Sequence, residues 1–241
     1  MFQNAIQSYL TQHNYQVFTP KVVFFDMDGV LYDSMKFHAS AWVNAMNDIG
    51  IPFTSQEAYM NEGRTGHSTI DGAFNKHYGR NATEDEKQQI YKLKSKYFEA
   101  MGPTEKMQFA HDLLKKVNEQ GLTVFVVTGS GQHSLLDNLE SSFPGIFSKE
   151  RLVTAFDVQH GKPHPEPYLM ALKKSGVQPW ESLVIENAPL GVESAVAAGL
   201  FAVAVNTGPL EPEVLSQSGA HVVLEGGMKE LFENWEQLIQ F

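Results

Sequence analysis

A short apolar run, VVFF at residues 22–25, ends on two aspartates, Asp26 and Asp28, with one residue between them. A continuous apolar run of this length is typical of a strand that is buried on both faces of a parallel sheet. Asp26 is then expected at the carboxyl end of that strand, where open parallel sheets bind ligands, and Asp28 in a turn that Gly29 makes possible. Two carboxylates this close repel each other unless a cation lies between them, and oxygen ligands of this kind suit Mg²⁺.

The chemistry that needs such a pair is phosphoryl transfer through a covalent aspartyl phosphate. In this interpretation Asp26 attacks phosphorus, while Asp28 protonates the leaving oxygen and then accepts a proton from the hydrolysing water. A solvated Asp-x-Asp-Gly turn is an equally good interpretation of the bare motif. The motifs further along the chain decide between the two.

Charge and composition narrow the class of protein. The 241 residues include 18 basic and 28 acidic side chains, so the net charge of −10 argues against a nucleic-acid or anionic-membrane surface. The absence of cysteine excludes disulfides, thiolate metal sites and cysteine nucleophiles. The sequence has neither an apolar run of membrane-spanning length nor the features of a signal peptide at its start. We therefore expect a cytoplasmic protein whose motifs do not reveal its oligomeric state and are compatible with a monomer.

Apolar spacing predicts the order of helices and strands. Residues 1–16 are predicted to form an amphipathic helix, and residues 35–103 a series of helices without strands, one of which starts at the capping box of Thr83 and Glu86. From residue 107 helices and strands alternate, and further buried strands are predicted at residues 122–127, 152–156, 183–185, 202–205 and 221–224.

This order predicts an α/β fold, a doubly wound parallel sheet with an inserted all-helical domain. Residues 1–34 and 104–241 form the predicted core, and residues 35–103 the insertion. Because the insertion comes directly after the first strand, it is expected to lie over the carboxyl edge of the sheet.

Polar loops come after the second and third predicted strands. The hydroxyls and backbone N–H groups of Thr128, Gly129 and Ser130 could hold phosphate oxygens, although a plain turn is an equally good interpretation. In the loop HGKPHP, flanking prolines restrict Lys162, which could screen carboxylate and phosphate charges; a solvated loop lysine is the commoner case. The histidines of this loop are interpreted as loop residues.

The fourth predicted strand ends on Glu186 and Asn187, after which an alanine-rich helix begins. An acid and an amide at this edge would complete an oxygen shell for Mg²⁺. The same two residues could equally form an ordinary helix N-terminus.

Four motifs, taken together and in this order, resemble those of the haloacid dehalogenase superfamily, and the resemblance covers residues 22–241. They are DMDGV, the threonine of VVTGS, the lysine of GKPHP and the loop VIENAPLGVESA. The insertion resembles the cap of the β-phosphoglucomutase-like branch, in which His38 and Trp42 also have counterparts. The resemblance implies a Rossmann-like core that uses Mg²⁺ and acts on a small phosphorylated substrate. The residues that it implies are the nucleophile Asp26, the acid and base Asp28, the phosphate-holding Thr128 and Lys162, and Glu186 and Asn187 in the metal site.

The remaining predicted site residues are contacts of the substrate or its phosphate. They are Gly129, Ser130, His38 and Arg64.

One departure from the family pattern narrows the expected function. Asn187 stands where the family commonly has an aspartate, so the metal shell has one negative charge less. Glu62, in the cap loop just before Gly63, could restore that charge as a metal ligand when the cap closes. This pairing resembles the haloacid dehalogenase-type inorganic pyrophosphatase. A cap residue on the metal leaves room for pyrophosphate but little for a hexose phosphate. A surface acid at a helix end is the simpler interpretation of Glu62 alone.

Three alternatives stay open. β-Phosphoglucomutase needs basic cap residues for a second phosphate, but ungapped counting places Gly66 and Glu99 where the mutase has an arginine and a lysine. Arg64, Lys94 or Lys96 could substitute for them. A sugar-phosphate phosphatase is the second alternative, because caps of this type serve many small substrates. A non-catalytic phosphate-binding protein is the third, and the presence of all four core motif residues argues against it.

Overall fold

The computed structural model describes residues 2–131 and 133–240, with the backbone alone at residues 133–137. Its described part contains one sheet of six strands, all parallel, in the order β3-β2-β1-β4-β5-β6. The strands are β1 (Val22–Phe25), β2 (Thr123–Val127), β3 (Leu152–Val153), β4 (Ser182–Glu186), β5 (Phe201–Val205) and β6 (Val222–Leu224).

Helices cover both faces of this sheet because successive strand residues point to opposite sides. Val23 and Phe25 pack into an apolar cluster on one face, whereas Val22 and Phe24 pack into a second cluster on the other. The first face carries α1 (Phe2–His13), α6 (Ala110–Glu119), α7 (His133–Ser142) and α11 (Gly227–Ile239). The second carries α8 (Glu166–Ser175), α9 (Pro189–Ala197) and α10 (Pro212–Gln217). Burial on both faces explains why the central strands read as unbroken apolar runs.

The insertion has an apolar cluster of its own. Between residues 35 and 100, all of which the structure describes, the regular elements are helices: α2 (Met35–Asp48), α3 (Ser55–Met60), α4 (Gly66–Tyr78) and α5 (Glu84–Ala100). The side chains of Trp42, Ile70, Phe74 and Ile90 meet at its centre. The predicted capping box of Thr83 and Glu86 is present at the start of α5.

These observations confirm the predicted fold class, a parallel α/β core with a helical cap. We propose residues 35–103 as the cap domain and residues 1–34 and 104–241 as the core, because the insertion has an apolar cluster of its own. Its residues Ala41 and Phe98 pack into the first cluster of the core, so the two domains also share an apolar contact. Among the described helices, none combines the length and the apolar character that a membrane crossing requires.

One predicted element is shorter than expected. The strand expected at residues 152–156 ends at Val153, because the Asp157 carboxylate turns the chain back on itself. Asp157 Oδ2 accepts hydrogen bonds from the Thr154 backbone N–H at 2.8 Å and from the Thr154 hydroxyl at 2.9 Å. A local side-chain bond of this kind competes with continued strand pairing.

Candidate active site

The predicted site residues of the core converge where three neighbouring strands end. Phe25 of β1 pairs with Val126 of β2 on one side and Ile185 of β4 on the other, so the three carboxyl ends are level. Asp26 comes directly after the first of these strands, and the neighbouring strand ends bring up the other motifs. A small cavity of about 60 Å³ lies here between core and cap. The core residues that line it are Asp26, Asp28, Thr128, Gly129 and Ser130.

Lys162 is fully buried beside this cavity, and its ammonium group joins two strand ends. Nζ donates to Asp26 Oδ1 at 2.5 Å, to Glu186 Oε1 at 2.5 Å and to the Val127 carbonyl at 2.9 Å. Burial lowers the pKa of Lys162, but the Asp26 and Glu186 carboxylates outweigh burial and raise this pKa above its ordinary value. Lys162 is therefore a permanent cation, which is the screening role that its sequence position suggested.

Glu186 has no exposed surface, and both of its carboxylate oxygens accept hydrogen bonds. In addition to Lys162, Oε1 accepts from the Tyr168 hydroxyl at 2.7 Å, and Oε2 accepts from the backbone N–H groups of Asn187 and Ala188 at 3.1 and 3.4 Å. A Cβ at Gly191 would lie 2.1 Å from Glu186 Oε1, so only glycine fits on the helix beside it. The local geometry is thus built to hold this carboxylate in one orientation.

Tyr168 is a site residue that the sequence analysis missed. It lies on α8, six residues beyond Lys162, on an apolar helix face where an aromatic side chain is ordinarily a core residue. Burial raises the pKa of the Tyr168 hydroxyl well above its ordinary value, and the nearby Glu186 carboxylate adds to the shift. The hydroxyl is therefore held in its protonated form, in which it donates to Glu186.

Asp28 is held by a chain of hydrogen bonds that begins in the cap. Its Oδ1 accepts from the Ser34 hydroxyl at 2.6 Å and lies 3.1 Å from His38 Nε2. Lys94 Nζ, on α5 of the cap, lies 2.7 Å from His38 Nδ1. Since the ionised Asp28 carboxylate can only accept, Nε2 carries the ring proton that bonds Asp28, and Nδ1 accepts from Lys94. Ser34 was also missed, because a lone serine at a helix start reads as an ordinary cap.

The pKa values around Asp28 result from these contacts. Burial raises the pKa of Asp28, but the contacts with His38 and Ser34 outweigh burial and hold it below its ordinary value. Burial lowers the pKa of Lys94 to about 7, although the charge of Asp28 opposes the shift. Asp28 is thus kept ionised, whereas the lysine that completes the chain can lose its proton near neutral pH.

The Thr128 loop and Arg64 both line the cavity. The Thr128 hydroxyl accepts from the Ser130 backbone N–H at 3.0 Å, which holds the loop in a tight turn. Arg64, half-buried in the cap loop, donates through Nη1 to the Ser68 hydroxyl at 3.2 Å. Its Nε is buried without a hydrogen-bond partner among the described residues.

The cap loop lies directly against the core, and glycines make this approach possible. A Cβ at Gly129 would lie 2.2 Å from the Gly63 carbonyl oxygen, and one at Gly161 would lie 2.7 Å from the Thr65 side chain. Gly63 faces the Lys162 side chain. A Cβ at Gly63 would lie 3.0 Å from Cδ of Lys162. We call this contact, between Gly63 and Thr65 on the cap side and Gly129 and Gly161 on the core side, the glycine seam.

Glu62 is the cap residue that reaches deepest into the core. It is 7% exposed, and its Oε1 accepts from Asn187 Nδ2 at 2.8 Å. Burial raises the pKa of Glu62 well above its ordinary value, and the Asp26 charge raises it further. The structure thus brings together the two residues whose pairing the sequence singled out. The side-chain amide oxygen of Asn187, Oδ1, is buried and has no hydrogen-bond partner in the described part of the chain.

The side chains at this site suit a hard divalent cation by their chemistry. Asp26, Asp28 and Glu62 offer carboxylates, and the unpartnered Asn187 Oδ1 offers a neutral oxygen that lacks a donor of its own. An all-oxygen set of this kind suits Mg²⁺. Glu186 differs from the other predicted metal residues because its oxygens are already engaged by Lys162, Tyr168 and two backbone N–H groups.

The fold and the site together define a class of protein, the capped phosphatases and phosphomutases. The defining features are a parallel α/β core, an aspartate pair after its first strand, a lysine and a threonine from neighbouring loops, and a helical cap above them. The chain belongs to the haloacid dehalogenase-like hydrolase family, whose sequence profile matches residues 23–205.

Individual relatives place the chain within this family. Hexitol phosphatase A of Escherichia coli K12 is 30% identical and is matched over 81% of its length by 76% of this chain. β-Phosphoglucomutase of Bacillus subtilis 168 is 27% identical, with 90% of this chain and 96% of that protein covered. A solved structure described as "Putative beta-phosphoglucomutase from Bacteroides vulgatus" is 51% identical, with a TM-score of 0.95 over 98% of this chain and 96% of that chain.

These comparisons confirm the haloacid dehalogenase resemblance and the β-phosphoglucomutase-like branch. They support a phosphatase or phosphomutase activity in general. The names of the relatives favour the alternatives that act on sugar phosphates, a β-phosphoglucomutase or a sugar-phosphate phosphatase, over the hydrolysis of pyrophosphate.

We expect the contribution of Lys94 to stability to depend on pH. Because its folded pKa of about 7 lies below the ordinary value, the unfolded chain holds a proton that the folded chain lacks between about pH 7 and about pH 10. The free energy of unfolding should therefore rise with pH in this window, by up to about 1.4 kcal/mol per pH unit relative to Lys94→Met. Urea unfolding of both proteins in EDTA, at about pH 7.5 and about pH 9, measures the difference. If the free energies of unfolding of the wild type and Lys94→Met differ by the same amount at both pH values, Lys94 keeps its ordinary pKa.

We expect Tyr168→Phe to lower kcat/KM about tenfold, the scale typical of partners that orient a site residue. The change removes only the hydroxyl that donates to Glu186, so Glu186 and Lys162 are held less firmly. Steady-state kinetics with a thermal melt of the same sample measure both effects. Tyr78→Phe, at an exposed tyrosine of the cap, is the matched control. Unchanged kinetics in Tyr168→Phe would mean that Lys162 and the backbone suffice to orient Glu186.

Proposed function

We propose that the protein is a Mg²⁺-dependent phosphohydrolase that acts through an aspartyl phosphate and that its substrate is inorganic pyrophosphate. The observation that carries the choice of substrate is the contact between Glu62 Oε1 and Asn187 Nδ2 at 2.8 Å. This contact supports a role for the cap carboxylate as a metal ligand next to Asn187 when the cap is closed.

The size of the closed site supports a small substrate. The cavity of about 60 Å³ is far below the roughly 300–1,000 Å³ of pockets that enclose drug-sized ligands. A hexose attached to the transferred phosphate needs more room than this cavity offers while Glu62 and Arg64 line it. The leaving phosphate of pyrophosphate adds much less volume and carries negative charge that the Arg64 guanidinium attracts.

The core residues have distinct roles in this proposal. Lys162 engages Asp26 Oδ1, so we assign the attack on phosphorus to Oδ2. Asp28, kept ionised by His38 and Ser34, takes up a proton, gives it to the leaving oxygen and then accepts one from the attacking water. Thr128, Ser130 and the backbone of Gly129 bind the transferred phosphoryl group.

Mg²⁺, held by Asp26, Asp28, Asn187 and Glu62, would supply positive charge that offsets the repulsion between the nucleophile and the phosphate. Since the oxygens of Glu186 are engaged by four donors, we assign that residue to the orientation of Lys162 rather than to direct contact with the metal.

A second candidate, hydrolysis or isomerisation of a sugar phosphate, has an observation of its own. Two basic cap residues, Lys94 and Arg64, line the cavity. They are among the residues that could bind a second phosphate in a mutase, and the relatives are named for sugar and hexitol phosphates. In this case the cap would have to remain further from the core during the reaction, and Glu62 would not bind the metal.

We expect Asp26→Asn to abolish turnover, since an amide cannot form an acyl phosphate. Phosphate release in the presence of Mg²⁺ measures the loss, and circular dichroism shows whether the variant is folded. A folded variant that still turns over would exclude the covalent mechanism.

Asp28→Asn should lower kcat by about 100-fold to 10,000-fold, the usual scale of general acid and base catalysis. The nucleophile is retained, so rapid mixing should show a slow phosphorylation of Asp26 and a slow release of phosphate. An effect of only a few fold would mean that another group handles the proton.

The substrate is tested by comparing kcat/KM for pyrophosphate, β-glucose 1-phosphate and glucose 6-phosphate across a range of Mg²⁺ concentrations. We expect pyrophosphate to be preferred, and Glu62→Ala to raise the Mg²⁺ concentration needed for half-maximal activity by about tenfold and to reduce that preference. Glu99→Ala, at an exposed acid of α5, is the matched control.

The outcomes separate the two candidates. A wild-type preference for a sugar phosphate would replace pyrophosphate with the second candidate and leave the aspartyl phosphate chemistry intact. A preference for pyrophosphate with no change in Mg²⁺ dependence or substrate ranking in Glu62→Ala would show that the cap carboxylate is not a metal ligand.

A further inference from the structure

Outside the active site, a second group of potential ligands lies on the surface of the loop that carries Lys162. His160, His164 and Glu166 each offer one ligand atom, and the three atoms lie within 4.8 Å of one another. The two imidazole rings have centroids 4.7 Å apart. The active-site carboxylates are buried, whereas these two histidines are exposed, so the two groups have different environments.

We propose that His160, His164 and Glu166 bind a borderline transition-metal ion of the Zn²⁺ class. Two imidazole nitrogens and one carboxylate suit Zn²⁺, Ni²⁺ or Cu²⁺ and do not suit Mg²⁺, which prefers oxygen ligands and retains several waters. The site would therefore select an ion different from the one proposed for catalysis. With three protein ligands, the remaining position of the ion is open to water.

The distances are close to those that such an ion requires. A tetrahedral ion with Zn–N distances of 2.0–2.1 Å holds its donor atoms about 3.3 Å apart. Glu166 Oε2 lies 2.9 Å from His160 Nδ1 and 3.9 Å from His164 Nδ1, on either side of that value. Shifts of a few tenths of an ångström in two exposed side chains would bring all three atoms to the ion.

The backbone holds the cluster in place before any ion binds. Glu166 accepts hydrogen bonds from the backbone N–H groups of Gln159 at 2.8 Å and His160 at 2.9 Å, which brings the two ends of the loop together. The His164 carbonyl accepts from the Ser194 hydroxyl at 2.7 Å. An ion that binds here consequently loses little backbone entropy in ordering its ligands.

Binding changes two hydrogen bonds. The contact of 2.9 Å between His160 Nδ1 and Glu166 Oε2 requires a proton on Nδ1, and the ion takes its place while neutral imidazole carries its proton on Nε2. His164 Nδ1 accepts a long hydrogen bond of 3.2 Å from the Glu166 backbone N–H, and its lone pair turns to the ion instead. No covalent bond is made or broken.

The test is a calorimetric titration of the full chain, without an affinity tag, with Zn²⁺ in the presence of excess Mg²⁺. Zn²⁺ that enters the active site is common to all the proteins compared, so the difference between wild type and His160→Gln or His164→Gln reports this cluster alone. We expect each variant to lose one binding event or to bind it about tenfold or more weakly. His77→Gln, at an exposed histidine of the cap, should match the wild type.

Cu²⁺ provides a second readout that does not depend on affinity. The electron paramagnetic resonance spectrum of the wild type should show coupling to two imidazole nitrogens, and one coupling should disappear in each single variant. The proposal is overturned if the wild type and both variants bind Zn²⁺ with the same stoichiometry and the same affinity.

Discussion

The structure depends on a burial of charge that is not balanced within the protein. Among the residues that the structure describes, the buried carboxylates are those of Asp26, Asp28, Glu62 and Glu186, and the buried ammonium groups are those of Lys94 and Lys162. If all six groups were ionised, two negative charges would be in excess, in a place where desolvation makes an unpaired charge costly, and the pKa of Glu62 is raised accordingly. This count already includes Lys162, which contacts Asp26 and Glu186 directly. A single divalent cation would balance the two excess charges, which is a physical reason to regard the closed cap and the metal as one unit.

The sheet and the position of the core motifs could be predicted because they result from local patterns. A strand buried on both faces has to be apolar throughout, so its end is visible where Asp26 begins. The contacts made by Tyr168, Ser34 and Lys94 could not be predicted in this way, because each depends on which helices meet in three dimensions. A tyrosine on an apolar face looks the same whether its hydroxyl meets water or Glu186. The short third strand was missed for a related reason, since the Asp157 side chain replaces pairing that the apolar pattern alone would favour.

The difference between the substrate that the relatives suggest and the one that the geometry supports has a physical origin. Phosphatases and mutases of this family share the chemistry of the core, so sequence identity of 27–30% over most of the chain reports mainly that common chemistry. The choice of substrate depends on the few cap residues that face the cavity. Glu62 and Asn187 lie in different motifs and contact each other only in the folded chain, and this contact is the basis of the proposed choice of pyrophosphate.

The glycine seam also has a kinetic consequence. With backbone packed against backbone at Gly63 and Gly129, nothing can pass between these two loops while the seam is closed. In the proposed mechanism, a substrate or phosphate that passes along this path requires a separation of the two loops. The frequency of that separation sets a ceiling on the turnover number, however fast the chemistry at Asp26 becomes.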